Sequence, residues 1–91
     1  MPDAFVNVVI EGDVATATDA IAGVEGVATT HRVLGEFDAV AELDLADPGS
    51  LQRVVTGLIQ GVEGVKETTT VVSPELAAHH TPKTERATPD R

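Results

Sequence analysis

Two seven-residue segments of this chain are almost identical and lie 38 residues apart. Residues 21–27 read Ile-Ala-Gly-Val-Glu-Gly-Val, and residues 59–65 read Ile-Gln-Gly-Val-Glu-Gly-Val. Each copy lies where a helical pattern ends and a β-branched, strand-like pattern begins. The repeat therefore predicts a doubled fold, in which each half of the chain forms one strand–helix–strand unit.

The first half of the chain fits such a unit. Residues 4–11 are nearly all apolar and rich in β-branched side chains, which is typical of a strand with both faces buried. Residues 13–22 carry apolar side chains at helical spacing, and Asp13 can cap the start of that helix. Residues 27–34 then form the second predicted strand.

The second half repeats the same order. Alternating apolar and polar residues over 37–45 predict a strand with one solvated face. Asp47 and Pro48 follow as a helix start, with Asp as the N-cap and Pro as the first helical residue. That helix ends near Gln60, and residues 65–72 form the fourth predicted strand.

The resulting order, βαββαβ, predicts an α+β ferredoxin-like fold. Two right-handed βαβ units interleave in it into a four-stranded antiparallel sheet with both helices on one face. The first strand has apolar residues on both sides, and a chain of 91 residues leaves nothing to cover the second face of the sheet. A second copy packed sheet against sheet is the simplest cover, so we expect a dimeric α/β-barrel assembly.

The folded domain is predicted to span residues 1–74. Residues 75–91 are a polar segment without hydrophobic periodicity, and we expect them to form a disordered tail. The tail contains His79 and His80, whose role the sequence leaves open. Adjacent histidines without supporting carboxylates are a weak metal signal, so we expect no metal site and no cofactor.

Charge and composition exclude several classes of function. Residues 1–74 hold twelve acidic and three basic side chains and carry the whole formal charge of −9, which disfavours direct nucleic-acid binding. Such acidity is found both in proteins adapted to high salt and in ordinary acidic proteins. The chain has no Cys, no signal-peptide start and no apolar run near the roughly 20 residues that span a bilayer, so we expect a cytoplasmic protein.

The segment between the two halves, residues 33–38, carries the most informative local chemistry. Gly35 can adopt a positive φ, which a tight reversal often needs. Asp38 is expected at the start of the third strand, with its carboxylate projecting from the rim of the sheet. The alternative is that this segment forms only a hairpin connection and binds nothing.

The chain resembles the effector-binding domain of the Lrp/AsnC family of amino-acid-responsive regulators, also called the RAM domain. The likeness extends over residues 4–72 and rests on the opening Ala-Phe-Val strand, both Gly-Val motifs, Gly35-Glu36-Phe37-Asp38 and the Thr-bearing last strand. Family members usually carry an N-terminal helix-turn-helix domain, whereas this sequence starts directly at the first predicted strand. The resemblance therefore implies a stand-alone effector-binding domain. Leu34 departs from the pattern, since relatives often have Thr there.

The resemblance implies that the loop and the last strand border an amino-acid pocket between neighbouring dimers. The backbone N–H groups of the loop would then bind the ligand carboxylate, and Asp38 would accept a hydrogen bond from its α-ammonium group. The candidate ligand-binding residues are Leu34, Gly35, Glu36, Phe37, Asp38, Thr68 and Thr70. The alternative for the two threonines is that they only supply β-propensity.

The expected function is sensing of a small-molecule effector, an amino acid, and modulation of transcription through partner regulators. The expected partners are further copies of this chain and full-length Lrp/AsnC regulators, with no direct nucleic acid and no membrane. One alternative is an ACT-like amino-acid-binding module, which shares the βαββαβ order. Another is a small dimeric α/β-barrel enzyme of the monooxygenase or isomerase type. Because the chain has no Cys, Tyr or Trp, we expect no enzyme activity.

Overall fold

The computed structural model describes residues 2–72. Its elements are, in order, β1 (Ala4–Ile10), α1 (Val14–Ala22), β2 (Val27–Arg32), β3 (Ala39–Leu43), a 3-10 turn (Pro48–Ser50), a π-helical segment (Arg53–Ile59) and β4 (Val65–Val72). We call residues 48–59 together α2. The βαββαβ order predicted from the sequence is confirmed, whereas the predicted tail lies outside the described residues.

The four strands form one antiparallel sheet in the order β2-β3-β1-β4. Val6 at the middle of β1 is in register with Ala41 on β3 and with Thr70 on β4. The two central strands therefore come from different halves of the chain, as interleaved βαβ units require. This is the α+β ferredoxin-like fold expected from the sequence.

The two faces of the sheet differ because side chains alternate along each strand. On β1 the residues at even positions are buried beneath both helices, and the odd-numbered Phe5, Asn7 and Val9 lie on the opposite face. Burying each large aliphatic side chain of the core contributes roughly 1.5–3 kcal/mol. The core is formed by Ala4, Val6, Val8, Ile10, Ala17, Ile21, Ala39, Ala41, Leu43, Leu51, Val54, Val55 and Ile59.

The face of the sheet away from the helices, which we call the open face, is not covered by any other part of residues 2–72. Phe5 and Val71 are in register on neighbouring strands there, with exposed fractions of 39% and 53%. Val9 and Val40 on the same face are half-buried. The first strand is thus apolar on both sides, as predicted, and the open face is the surface that a second copy would cover.

The two copies of the sequence repeat have the same backbone conformation. In each, the valine after the second glycine donates its N–H to the carbonyl of the valine three residues earlier, at 3.1 Å. Gly26 and Gly64, the second glycines, have φ values of +100° and +96°. The carbonyl of Gly26 accepts from Asp44 N–H, and that of Gly64 from Glu11 N–H, so each copy ties its half to the other half.

The regular elements differ from the sequence prediction at two places. The strands expected over 27–34 and 37–45 are shorter, because residues 33–38 form a six-residue loop between β2 and β3, and β3 ends at Leu43, after which Leu45 N–H donates to the Asp3 carboxylate. The second helix is wound more widely than an α-helix, since Gln60 N–H donates to the carbonyl of Val55, five residues earlier, at 2.9 Å. Its side toward the sheet still buries apolar side chains.

Candidate functional site

The loop over residues 33–38 closes on itself through one backbone hydrogen bond. Val33 N–H donates to the carbonyl of Asp38 at 3.1 Å. Gly35 has a φ of +137°, which a side chain would oppose, and no atom lies near the position its Cβ would take. Leu34 is fully exposed at the tip of the loop, whereas Phe37 is half-buried.

Asp38 connects this loop to the central strand β1. Its Oδ2 accepts a hydrogen bond from Ile10 N–H at 2.7 Å, and its own N–H donates to the carbonyl of Val8 at 2.8 Å. The carboxylate therefore continues the β1–β3 ladder one step beyond the last paired backbone residues. Asp38 is half-buried and folded back on the sheet rather than projecting from its rim, and its Oδ1 accepts no hydrogen bond from residues 2–72.

A groove of about 490 Å³ lies beside this carboxylate, between the start of α1 and the loop. Its wall is formed by Val14, Arg32, Val33, Leu34 and Asp38. Leu34 and Asp38 had been expected at the site from the sequence, whereas the other three had not. Arg32 could have been found, since it is one of three basic residues before position 75 and directly precedes the loop.

The positive charge of Arg32 acts on Asp13, the residue that caps the N-terminus of α1. Asp13 caps that helix, because its carboxylate accepts hydrogen bonds from the backbone N–H and the hydroxyl of Thr16. These two bonds hold the pKa of Asp13 below its ordinary value, and the nearby Arg32 guanidinium lowers this pKa further. Arg32 also lines the groove together with Val14, the first residue of α1.

Thr68 and Thr70 lie on a different part of the protomer. They share the helix-facing side of the edge strand β4, in register with Val8 and Val6. Gln60 Nε2 on the turn after α2 donates to Thr68 Oγ1 at 2.8 Å. The central strand β1 separates them from β3 and the loop, so the structure brings together Leu34 and Asp38 but does not bring the threonines into their groove.

Three further grooves on residues 2–72 are more acidic. One, of about 450 Å³, lies at the start of α2 and is lined by Glu25, Asp44 and Asp47 together with Arg53. The charged side chains of the other two are all acidic; one groove lies at the start of α1, and the other lies between Pro2, Ala28 on β2 and Glu42 on β3. The groove at the β2–β3 loop instead balances one basic against one acidic residue.

The rest of the described chain offers few other polar sites. His31 lies on the open face, where its Nε2 is 3.2 Å from Glu42 Oε2 and 3.3 Å from the Thr29 hydroxyl. Within residues 2–72, no three His, Asp or Glu side chains are arranged to hold a metal ion. The helices of this part of the chain are too short or too polar to cross a membrane.

Comparison with solved structures places this geometry among known folds. The protein TTHA0845 from Thermus thermophilus is 34% identical over 99% of this chain and 100% of its own, with a TM-score of 0.73. The hypothetical protein PHS023 from Pyrococcus horikoshii is 20% identical over 80% of this chain and 89% of its own, with a TM-score of 0.71. No curated protein sequence matches the chain.

A longer protein chain also shares this fold. AsnC of E. coli is 15% identical over 93% of this chain and 54% of its own, with a TM-score of 0.71. At that identity the likeness concerns the fold. The sequence model of the Lrp/AsnC ligand binding domain matches residues 3–82, which include every described element. The chain therefore belongs to the Lrp/AsnC ligand-binding domain family, whose members have a regulatory, effector-binding role.

Proposed function

We propose that this domain senses an α-amino acid at the β2–β3 loop and passes the bound state to transcription regulators by assembling with them. The main support is the carboxylate of Asp38. Ile10 N–H fixes one of its oxygens, and the other is left without a hydrogen bond from residues 2–72. An oriented carboxylate with an open acceptor suits an ammonium group, because charge-assisted hydrogen bonds are stronger than neutral ones.

The loop supplies the remaining parts of the proposed site. Leu34 is fully exposed and follows the exposed Val33, so the loop offers a small apolar surface that a neighbouring subunit would contact. Gly35, Glu36 and Phe37 belong to the same loop but do not line the groove of one protomer, and in this proposal they contact the effector once subunits have associated. Thr68 and Thr70 would enter the site from a neighbouring subunit, since their own protomer holds them on the far side of β1.

The assembly we propose has two levels. Two copies pack through their open faces, where Phe5 and Val71 would become buried, to form a dimeric α/β barrel. Dimers then associate through their loops, which places the effector between them. Full-length Lrp/AsnC regulators could join the same contacts, and we propose the cytoplasm as the place where this occurs.

The rival functions find less support. A small α/β-barrel enzyme needs an enclosed pocket in each protomer, whereas the grooves on residues 2–72 open to solvent and the space between sheet and helices is filled by the core. An ACT-like module shares the order of elements, but the family match favours the Lrp/AsnC domain. We therefore propose binding, without catalysis.

A thermal-shift screen tests this function. The protein is heated with each of the twenty L-amino acids in turn, and succinate and ethylamine serve as controls that carry only one of the two charged groups. A ligand present at 100 times its Kd should stabilise the protein by about 2.7 kcal/mol. We expect one or a few amino acids to raise the melting temperature and the controls to leave it unchanged. No shift with any amino acid at about 10 mM would contradict the proposal.

A further inference from the structure

Arg32 is the basic residue of the groove at the β2–β3 loop. It ends the edge strand β2 with an exposed side chain, and no carboxylate within residues 2–72 lies within 4.0 Å of its guanidinium. The other arginine of the described chain, Arg53, lines a groove with three acidic residues that offset its charge. Arg32 therefore offers a cation that forms no ion pair within residues 2–72, in the same groove as the open oxygen of Asp38.

We propose that Arg32 binds the α-carboxylate of the effector, and that the effector is an α-amino acid with an apolar side chain. This inference rests on the proposed function and assigns each group of the ligand a partner in one groove. The ammonium bonds Asp38 Oδ1, and the carboxylate pairs with the guanidinium. The ligand side chain lies against Val14, Val33 and Leu34, the three aliphatic residues of the wall.

The geometry favours Arg32 over the N–H groups of the loop as the carboxylate partner. A backbone nest for anions alternates right-handed and left-handed helical residues, and the left-handed region lies near a φ of about +57°. Gly35 has a φ of +137°, outside that region. A guanidinium presents two parallel N–H donors that match the two oxygens of a carboxylate, and it keeps its charge at any physiological pH.

The charges around the groove also determine which ligands it rejects. Its wall has one acidic side chain, Asp38, and one basic side chain, Arg32, whereas residues 2–72 hold twelve acidic and three basic side chains. A dicarboxylic amino acid would bring a second carboxylate into this acidic environment, and a 2-oxo acid would leave Asp38 without an ammonium partner. A zwitterion with an apolar side chain meets one fixed charge of each sign and is the best match.

Calorimetric titration of matched variants tests this assignment. The probes are L-valine, L-isoleucine, L-methionine and L-phenylalanine, and the tightest of them is compared with its carboxamide, which lacks the carboxylate charge. The variants are Arg32→Gln and, as a control with the same charge change in another groove, Arg53→Gln. We expect Arg32→Gln to weaken binding of the amino acid about ten- to hundredfold, and Arg53→Gln to change it less than about twofold.

The carboxamide separates a direct contact from a general charge effect. If Arg32 binds the carboxylate, the carboxamide should bind wild type weakly and Arg32→Gln equally weakly, since the contact is already lost. Equal binding of the amino acid by wild type and Arg32→Gln would overturn the assignment and leave amino-acid sensing intact. Equal weakening by both arginine variants, or binding of polar amino acids alone, would also overturn it. If none of the twenty amino acids raised the melting temperature in the thermal-shift screen, the proposed function would be contradicted as well.

Discussion

Asp38 has a structural contact as well as its proposed contact with the ligand. One oxygen completes the hydrogen bonding of β1 at Ile10, and the backbone on either side of this carboxylate bonds Val8 and Val33. The position of the open oxygen is therefore determined by the central strand. In this proposal the Asp38 side chain contacts both the ligand and the edge of the β1–β3 ladder. Substitutions of Asp38 should therefore change both the free energy of unfolding and the affinity for the ligand, by different amounts.

The structural part of this double contact can be measured without any ligand. Asp38→Ala leaves the N–H of Ile10 without an acceptor and should reduce the free energy of unfolding by about 1–3 kcal/mol. Asp38→Asn retains an acceptor oxygen at the same place and should lose less than about 1 kcal/mol. Urea unfolding of both variants measures the difference. Equal stability of Asp38→Ala and wild type would mean that the Ile10 bond contributes nothing.

Asp13 should make the stability of the domain dependent on pH. Its pKa in the folded state is held below the ordinary value of 3.8 by the bonds from Thr16. The contribution of this cap is therefore fully present above pH 3.8 and is lost as the pH falls through the folded value. Asp13→Ala should melt at a lower temperature than wild type at neutral pH, and the gap should narrow below pH 3.8.

A neighbouring acid on the same helix provides the control for this pH effect. Asp19 is exposed and has no hydrogen-bond partner for its side chain within residues 2–72. Asp19→Ala should leave the melting temperature close to that of wild type at neutral and at acidic pH. A gap between Asp13→Ala and wild type that stays constant from neutral pH to about pH 3 would contradict the role of the charged cap.

The element that organises the fold is the repeated turn before β2 and β4. In both copies the glycine directly before the strand has a positive φ and accepts a hydrogen bond from the residue that follows a strand of the other half. A Cβ at Gly64 would lie 3.2 Å from the carbonyl oxygen of Glu11, closer than most such contacts. The turn therefore excludes side chains for reasons of conformation and of space.

Comparison of two alanine variants separates these two reasons. Gly12 and Gly64 have similar φ values of +103° and +96°, but no atom lies within 4 Å of a Cβ at Gly12. Each substitution should reduce the free energy of unfolding by about 1–3 kcal/mol through backbone strain. Gly64→Ala should lose more, because it also pushes Glu11 away. Denaturant titration that ranks Gly12→Ala as the more damaging would contradict this interpretation.

The elements also show how far the sequence alone could lead. The repeat, the β-branched runs and the Asp13 cap predicted the order of elements, and the fourth strand over Val65–Val72 was placed with its observed bounds. The sequence pattern predicts a shorter loop than the observed residues 33–38, because Val33 and Phe37 continue the apolar pattern of the strands beside them. The fold follows from local periodicity, whereas loop length depends on the long-range contact between Asp38 and β1.

The candidate site was predicted less completely than the fold. Gly35 and Asp38 stood out because their residue types mark turns, and Asp38 does line the groove. Arg32 was missed although it is a rare basic residue directly before the loop, and Val14 was missed because no local pattern shows that the start of α1 meets the end of β2. The family resemblance assigns Thr68 and Thr70 to the same site as the loop, although the strand order separates them from it within one protomer.

At the scale of the whole molecule, the open face is the feature that the fold of one protomer leaves unsatisfied. Apolar residues of three strands lie on it together with the His31–Glu42 pair. The opposite face is covered by both helices and contains the core. A second copy would cover the open face and bury the exposed parts of Phe5 and Val71.

A charge placed on the open face should dissociate the dimer. Val71→Glu puts a carboxylate beside Phe5, where sheet packing would bury it without a partner, so the dimer dissociation constant should rise at least about tenfold, or about 1.4 kcal/mol. Thr56→Glu adds the same charge at an exposed position on α2 and should leave dissociation unchanged. Sedimentation equilibrium compares the two variants. A wild-type protein that is monomeric at micromolar concentration would rule out this assembly.

Amino-acid sensing by this domain depends above all on the proposed bond between the carboxylate of Asp38 and the ammonium group of the effector. The most direct test of this bond is calorimetric titration of the amino acid that stabilises the wild-type protein most, into wild type, Asp38→Asn and the control Glu36→Gln. We predict about ten- to hundredfold weaker binding for Asp38→Asn, from the loss of one charge-assisted hydrogen bond, and little change for Glu36→Gln. Equal affinities of wild type and Asp38→Asn would contradict the proposed bond.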